Sequence, residues 1–321
     1  MMQILAIRFS GLGDIVMLTG IFGALKQRYP GCRITLLADV VNAGIASETS
    51  GLIDEVITLN RKPFRQRRLL PALKEAFRVL RAVREQQYDM VLDFQNFGET
   101  GFITRMAHAA KKIGAPKKHK YAKPYDVVVP VRTDGHRIEQ FARIAQLERQ
   151  IYPPKLCLSE NGRKYAASWK QGLSRDLPVV GLNIGSTQES RRWHHERFAE
   201  LAKRLSGQAE VVIFAGPAEE QYLSSFVDKG HLVRSVTLPQ LCGAISCCDL
   251  IVSNDTGPAH IAGALGVPLV TLFSTGDDHE VGAICNQKRY IKCVPINEIQ
   301  VDEVLVQMAE LLPCLNLVEV V

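Results

Sequence analysis

The sequence lacks the features of several specialised protein classes. No apolar run approaches the roughly 18 to 20 residues that span a bilayer, because charge, glycine or proline interrupts each one. The start has no basic region followed by a small-residue cleavage site, so we expect no secretory signal. With 46% hydrophobic and 22% charged residues, the chain also falls outside the disordered and fibrous classes.

Cysteine pairs and metal-binding carboxylate pairs are missing as well. The eight cysteines form no Cys-x-x-Cys pair and mostly lie in apolar segments, which is typical of reduced thiols in a cytoplasmic protein rather than of a zinc site. The sequence contains no Asp-x-Asp, the usual carboxylate pair that holds a divalent metal on a nucleotide-sugar diphosphate. The acidic cluster Asp277, Asp278, His279 and Glu280 fits a solvated loop better than a metal site. We therefore expect neither a metal nor a cofactor.

What is present is a repeated alternation of short apolar runs with segments of helical periodicity. This alternation restarts after residue 175, and 321 residues are enough for two domains of ordinary size. Repeated strand–helix units favour parallel sheets. We therefore predict two α/β domains in series with a cleft between them, spanning residues 1–155 and 156–300. The last segment, 301–321, is expected to form a helix that packs back on the first domain.

Positive charge is concentrated in the first half of the chain. Residues 1–150 contain 24 Lys and Arg against 14 Asp and Glu, whereas the remainder contains 15 against 19. Two basic runs in predicted loops carry much of this surplus, and they span residues 61–68 and 111–123. The candidate anion-binding residues in them are Arg61, Arg65, Arg67, Arg68, Lys117, Lys118 and Lys120. The asymmetry predicts an anionic partner for the first domain. Nucleic acid is unsupported, because no helix-turn-helix, RRM or KH signature accompanies the charge.

The turn from Ser10 to Asp14 follows the first predicted strand, where open α/β sheets place ligands. Gly11 and Gly13 would let the backbone approach a ligand, but Val16 stands where a dinucleotide fingerprint has Gly or Ala. Asp14 has two interpretations: it caps the following helix, or it is a general base that faces the cleft.

A second motif, Ser253 to His260, joins a predicted strand to a helix. Its small residues and a proline at the start of the helix expose backbone N–H groups that suit a pyrophosphate. The residues of interest are Asp255, Thr256, Gly257 and His260. Asp255 could instead cap the helix, and His260 could be a core histidine.

A third motif follows the strand that ends near Ile184. Ser186, Thr187 and Arg191 supply hydroxyls and a guanidinium, which bind phosphoryl groups well. The alternative is a solvated charged loop in which Trp193 is a core anchor. Glu219 is a weaker candidate near a ribose or sugar, and it could equally be an acidic residue in the first turn of a helix.

Together these motifs resemble glycosyltransferase family nine, the ADP-heptose:lipopolysaccharide heptosyltransferases, over nearly the whole chain. The matching segments are Arg8 to Ile15, Ser186 and Thr187 with Arg191-Arg192-Trp193, and Ser253 to His260. Family members usually have a lysine two residues before the tryptophan, and Arg191 keeps that positive charge here.

The resemblance implies a GT-B architecture, two Rossmann-like domains with parallel sheets facing across a cleft, and inverting sugar transfer without metal. It implies that Asp14 is the base. The donor ADP-heptose would be bound by Ser186, Thr187, Arg191, Glu219, Asp255, Thr256, Gly257 and His260. The acceptor, phosphorylated lipopolysaccharide inner core at the cytoplasmic membrane surface, would meet Ser10, Gly11, Gly13 and the basic runs.

Three other functions remain open on the sequence. A family-nine transferase could use another nucleotide sugar or another glycan acceptor. A non-catalytic protein that binds nucleotide sugars is disfavoured by Asp14, and a GT-B-like epimerase by the basic first domain, since an epimerase needs no large anionic acceptor.

Overall fold

The computed structural model describes residues 1–131, 134–174, 176–274 and 281–315. The chain divides into two compact units, Met1–Pro154 and Lys155–Val321, one residue from the boundary expected from the sequence. Within the described residues each unit contains a six-stranded sheet, and all strand pairs are parallel. The prediction of two α/β domains with parallel sheets is therefore confirmed.

The sheet of the first unit has the strand order β3-β2-β1-β4-β5-β6. Its strands are β1 Gln3–Ile7, β2 Arg33–Asp39, β3 Glu55–Leu59, β4 Gln87–Asp93, β5 His108–Gly114 and β6 Val127–Val128. Its helices are α1 Leu12–Arg28, α2 Lys62–Arg65, α3 Leu69–Arg84, α4 Gly98–Met106 and α5 Arg137–Ile144, with 3-10 turns at Ala43–Thr49 and His119–Tyr121. The strand order reverses between β1 and β4, and such a switch point opens a crevice at the carboxyl ends of the strands.

The basic runs of this unit are more regular than the loops expected from the sequence. Lys62 to Arg65 form α2, and Lys111 and Lys112 lie in β5. The loop prediction is wrong there because β5 lies next to the edge strand β6 and its first five residues remain partly or fully exposed, so the strand accommodates lysines. Lys112 Nζ donates to the Arg105 carbonyl at 3.0 Å.

The second unit repeats the same topology, with the strand order β12-β11-β10-β7-β8-β9. Its strands are β7 Val179–Asn183, β8 Glu210–Ala215, β9 His231–Arg234, β10 Leu250–Asn254, β11 Leu269–Phe273 and β12 Lys288–Lys292. Its helices are α6 Glu160–Gln171, α7 His195–Arg204, α8 Leu238–Ile245, α9 Gly257–Leu265 and α10 Val301–Leu311, with 3-10 turns at Glu189–Arg191, Pro217–Phe226 and Ile296–Glu298. Here the order reverses between β7 and β10.

The last segment was expected to form a helix that packs on the first domain, but its helix α10 belongs to the second unit. Its buried residues Val304, Leu305 and Met308 belong to the apolar core of the second unit, in a cluster that includes Leu182 and Trp193. An apolar stripe at helical spacing is stabilised wherever it finds a matching apolar surface, and here the second sheet and α7 provide it. Residues 316–321, the rest of the expected segment, lie outside the described residues.

The structure also shows the state of the cysteines and the character of the helices. All eight cysteines lie in the described part of the chain and are free thiols, and burial raises the pKa of the Cys247 and Cys248 thiols. Among the described residues, none of the helices is both long enough and apolar enough to cross a bilayer.

Candidate active site

The β1–α1 turn lies at the switch point of the first sheet. Gly11 adopts φ +85°, in the left-handed region that glycine reaches without strain, and a Cβ there would collide with the Asp14 carboxylate. Gly13 follows in the first turn of α1. The two glycines therefore bring the backbone close to the first turn of the helix, as the sequence predicts.

Asp14 is buried in that first turn and does not cap the helix. Helix α1 begins after Gly11 without a side-chain cap, and the Asp14 carboxylate instead pairs with two guanidinium groups. One belongs to Arg8, and the other is Arg137 Nη1, 3.0 Å from Oδ1. The capping interpretation is therefore wrong, and the carboxylate is positioned by cations from the end of β1 and from α5.

Arg8 is itself fixed from several sides. Its Nε donates to the Ser10 carbonyl at 2.9 Å and its Nη1 to the Phe94 carbonyl at 2.7 Å, while the guanidinium lies 5.8 Å from the centre of the Phe141 ring. Burial lowers the pKa of Arg8, and the Asp14 carboxylate opposes that change. Arg8 thus connects the ends of β1 and β4 to the candidate base.

The end of β4 contributes two polar residues that the sequence analysis did not single out. Gln95 Nε2 donates to Ser10 Oγ at 3.1 Å. Asp93 accepts hydrogen bonds from the Gln95 and Asn96 amides at 2.9 and 2.8 Å and from Tyr125 Oη at 2.7 Å. Full burial raises the pKa of Asp93. Its position at the end of an apolar strand was the signal in the sequence that could have identified Asp93, since that strand pairs with β1.

The basic residues predicted to bind the acceptor occupy different surroundings. Arg61 follows β3, and its guanidinium lies 6.0 Å from the Phe9 ring centre and 3.9 Å from the Glu99 carboxylate. Arg65, Arg67 and Arg68 are exposed on α2 and just before α3, whereas Lys117, Lys118 and Lys120 are exposed after β5. Arg61 is thus brought beside the β1–α1 turn.

In the second unit, the ends of β7 and β10 are joined by asparagines. Asn183 Nδ2 donates to Ser253 Oγ at 2.8 Å and to Thr256 Oγ1 at 2.9 Å. Asn254 Nδ2 donates to the Gly185 carbonyl at 3.2 Å, and its Oδ1 accepts from the Trp193 amide at 3.0 Å. The second and third sequence motifs therefore form one site, and the asparagines that join them were not among the predicted site residues.

Arg191 and the start of α9 face each other in this site. Arg191 Nη1 lies 3.8 Å from Asp255 Oδ2, and its Nε is buried without a hydrogen-bond partner among the described residues. Thr256 is the N-cap of α9, and its side chain makes no capping hydrogen bond. Gly257 opens the helix and His260 is buried in its first turns. The positive end of the α9 dipole thus lies beside a guanidinium.

Glu219 serves as an anchor for the surrounding loops. The buried Arg192 donates from Nη1 to Glu219 Oε1 and from Nη2 to the Ser186 carbonyl, both at 2.7 Å. Burial acts to lower the pKa of Arg192, but the Glu219 carboxylate raises it overall. Glu219 also accepts from the Gly216 amide at 3.1 Å in the first turn of a 3-10 helix, as the structural alternative predicted.

The two hydroxyl residues of the third motif differ in exposure. Ser186 is buried, and its hydroxyl donates to the Gln188 carbonyl at 2.8 Å, whereas Thr187 is exposed. Trp193 is fully buried, so the core-anchor part of the structural alternative is correct. The loop before it is nevertheless held by Arg192, whereas Thr187 is exposed and the Arg191 side chain is partly exposed.

No group of three His, Cys, Asp or Glu side chains that could hold a metal ion occurs among the described residues. The acidic cluster Asp277, Asp278, His279 and Glu280 lies outside them. Arg191 and Arg192 bring positive charge to the strand ends of the second unit, and the amide end of α9 adds positive potential there. Such a combination suits an anionic ligand such as a diphosphate.

The chain is similar in sequence to known proteins. The sequence model of glycosyltransferase family 9 (heptosyltransferase) matches residues 76–303. Lipopolysaccharide heptosyltransferase 2 of Escherichia coli K12 is 24% identical over 315 residues, covering 91% of this chain and 88% of that protein. Lipopolysaccharide heptosyltransferase 3 of E. coli is 24% identical over 294 residues, covering 83% and 81%.

Solved structures show the same fold. The E. coli ADP-heptose lipopolysaccharide heptosyltransferase II aligns with a TM-score of 0.83 at 22% identity, covering 97% of this chain and 99% of that one. An E. coli heptosyltransferase solved with ADP aligns with a TM-score of 0.81 at 18% identity, covering 97% and 100%. The predicted GT-B fold class is confirmed.

Proposed function

Because the chain belongs to glycosyltransferase family 9, the heptosyltransferases, we propose that it moves a heptose from ADP-heptose to the phosphorylated inner core of lipopolysaccharide, with inversion and without metal. The relatives named as lipopolysaccharide heptosyltransferases support this pair of substrates. The observation that carries the proposal is the family match over residues 76–303, which includes the ends of β7 and β10 that form the second-unit site.

The second unit binds the donor in this proposal. Arg191 and the amide end of α9 attract the diphosphate, and Thr187, Thr256 and Gly257 supply hydrogen bonds to its oxygens. Ser186, Glu219 and Asp255 hold the loops and orient the cations, and His260 lines the start of α9. Positive charge placed beside the diphosphate stabilises ADP as it leaves, which is the role that a metal ion plays in other transferases.

Asp14 acts as the general base. It takes the proton from an acceptor hydroxyl while that oxygen attacks the anomeric carbon on the face opposite ADP, so one displacement inverts the configuration. Arg8 and Arg137 hold the carboxylate in one orientation. Ser10, Gly11 and Gly13 leave room beside it, and Arg61 with the exposed basic residues meets the phosphates of the acceptor.

The acceptor also sets the location that we propose. Lipopolysaccharide inner core carries its sugars on a lipid, so the enzyme works from the cytoplasm at the surface of the inner membrane. The positive surplus of residues 1–150 supports this, because such a surface is anionic.

The test is a transfer assay with ADP-heptose, ADP-glucose and UDP-sugars on truncated lipopolysaccharide acceptors, with ADP release and the mass of the product as readouts. We expect transfer from ADP-heptose, and Asp14→Asn should lower kcat about a hundredfold or more while the donor Kd stays within about twofold.

Asp54→Asn is the matched control, because Asp54 is a paired carboxylate of the same unit, bonded to Lys26 at 2.6 Å and placed before β3, away from the carboxyl ends of the strands. It should keep full turnover. Transfer from UDP-sugars alone would refute the donor assignment, and unchanged turnover of Asp14→Asn would remove Asp14 from the mechanism.

A further inference from the structure

Helix α3 exposes an apolar face that the first unit does not cover. Leu69, Leu70, Leu73 and Phe77 are 78%, 81%, 66% and 70% exposed. Leu69, Leu73 and Phe77 follow one another at four-residue spacing, and Leu70 lies beside them, so the four side chains form one stripe on the helix. We call these four residues the α3 apolar face. Clustered exposure of large apolar side chains marks a binding surface rather than ordinary scatter.

The same helix has a second, separate apolar stripe that is buried. Val79 and Val83 pack in the core of the first unit with Leu59 and Tyr88. Because these two residues already attach α3 to the sheet, the α3 apolar face is additional to what folding requires. It is exposed over about two and a half turns of the helix, from Leu69 to Phe77.

Basic side chains border the α3 apolar face. Arg65, Arg67 and Arg68 precede the helix, and Lys74 and Arg84 lie on it. All five are exposed and have no ion-pair partner among the described residues. An apolar stripe flanked by unpaired Lys and Arg is the composition of helices that lie in the interface of an anionic bilayer.

We propose that the α3 apolar face inserts into the headgroup region of an anionic lipid surface while the flanking basic residues bind lipid phosphates. This deepens the proposed function, since it supplies the contact by which the enzyme reaches a lipid-linked acceptor. A second copy of the chain fits less well. In a two-fold dimer this face would meet itself, which brings the arginines and lysines of both copies together.

The geometry suits shallow insertion. The helix has 16 residues and so spans about 24 Å, and its apolar residues lie along one side of its first half. A helix of this kind lies in the plane of the membrane with its apolar side a few ångströms deep. Phe64 of α2 and Phe102 of α4, which are 43% and 54% exposed, belong to helices that contact α3 and extend the apolar area.

The experiment measures sedimentation of the full-length protein with vesicles of phosphatidylglycerol and phosphatidylethanolamine, and with phosphatidylcholine vesicles for comparison. We expect binding to the anionic vesicles only. Leu70→Ser with Phe77→Ser should weaken the partition coefficient about tenfold or more, because two large apolar side chains lose their insertion. Lys74→Gln with Arg84→Gln should weaken it roughly tenfold at low salt and less at high salt.

The matched control is Val227→Ser with Val306→Ser, which replaces two apolar residues of the second unit that are 64% and 49% exposed. It should bind vesicles like the parent. Unchanged vesicle binding by the Leu70/Phe77 variant would overturn the proposal. The proposal would also be overturned if the parent did not bind vesicles but formed a dimer by light scattering, and the Leu70/Phe77 variant were a monomer.

This result is separable from the proposed function. Transfer from ADP-heptose to a deacylated, lipid-free acceptor should be unaffected by the Leu70/Phe77 variant. If the parent binds anionic vesicles but transfers no heptose, the substrate assignment fails while the docking surface stands. If it transfers heptose but does not bind vesicles, only the docking surface fails.

Discussion

Two carboxylates near the same edge of the first sheet differ in their environment. Asp14 is met by the guanidinium groups of Arg8 and Arg137. Asp93 instead accepts hydrogen bonds from the Gln95 and Asn96 amides and from the Tyr125 hydroxyl, which are neutral groups. Asp14 is therefore held by cations and Asp93 by neutral donors, although both carboxyl groups are buried. For Asp93, the effect of this environment on stability can be measured.

Asp93 should make stability depend on pH. Burial raises the pKa of Asp93 above its ordinary value of about 4, so the native state keeps a proton that the unfolded chain has already released. The free energy of unfolding therefore falls as pH rises from about 4 through the raised pKa. Asp93→Asn removes this titration, and its stability relative to the parent should rise over that range by about 1.4 kcal/mol per unit of pKa elevation.

Thermal unfolding of both proteins between pH 4 and pH 8 measures the effect. The Tm of the Asn variant minus that of the parent should increase as pH rises. Parallel curves of Tm against pH would show that Asp93 titrates alike in the folded and unfolded chains.

At the scale of elements, the turn between β1 and α1 depends on one glycine. A left-handed φ alone could tolerate another residue at a modest cost, but a Cβ at Gly11 has no space beside the Asp14 carboxylate. The conformation of the turn and the orientation of the candidate base are therefore coupled.

Gly11→Ala should separate these two effects when it is compared with Gly31→Ala. Gly31 has φ +77°, close to that of Gly11, but a Cβ there meets nothing within 4 Å. Both variants should lose about 1 kcal/mol from backbone strain. Only Gly11→Ala should also lower kcat, by about tenfold or more, because it displaces the Asp14 carboxylate. Equal kcat values in the two variants would show that the turn does not position the base.

How much the sequence predicts also depends on the element. Strands β1, β2, β7 and β10 are recognisable because central strands of a parallel sheet are buried on both faces and form continuous apolar runs. Strands β5 and β12, which carry two and three Lys or Arg residues, escaped notice because they lie toward the sheet edges, where one face can remain polar.

The site was predictable to a similar extent. Asp14, Arg191 and Thr256 each lie in a segment that follows an apolar run, so their positions after strands could be inferred. Arg137 pairs with Asp14 across 123 positions of the sequence, and no local pattern indicates such a contact. Asn183 and Asn254 were missed because an amide at a strand end is common and acquires meaning only when its partners are known.

At the scale of the whole molecule, charge divides with the two units. Residues 1–150 have the positive surplus, and residues 151–321 have 19 acidic against 15 basic residues. The proposed acceptor is anionic over a large area, whereas the donor presents a compact diphosphate that a few cations can bind. Long-range attraction should therefore govern acceptor binding and leave donor binding to local contacts.

Lys117→Gln with Lys118→Gln tests this division. Both side chains are exposed after β5, so their replacement should leave the fold intact. We expect the acceptor KM to rise severalfold and to depend less on salt, with the ADP-heptose Kd unchanged. Steady-state kinetics at several salt concentrations measures the first effect and calorimetry the second. If only the donor affinity changed, the assignment of these lysines to the acceptor would be wrong.

The buried Trp193 has a spectroscopic consequence. Its indole Nε1 donates to the Ile299 carbonyl at 3.0 Å, and its amide is bonded to Asn254 at the proposed donor site. The chain contains two tryptophans, and the other, Trp169, is also in the second unit. Intrinsic tryptophan emission therefore reports on the second unit alone, so a partial denaturation that leaves this emission unchanged can be assigned to the first unit without any label.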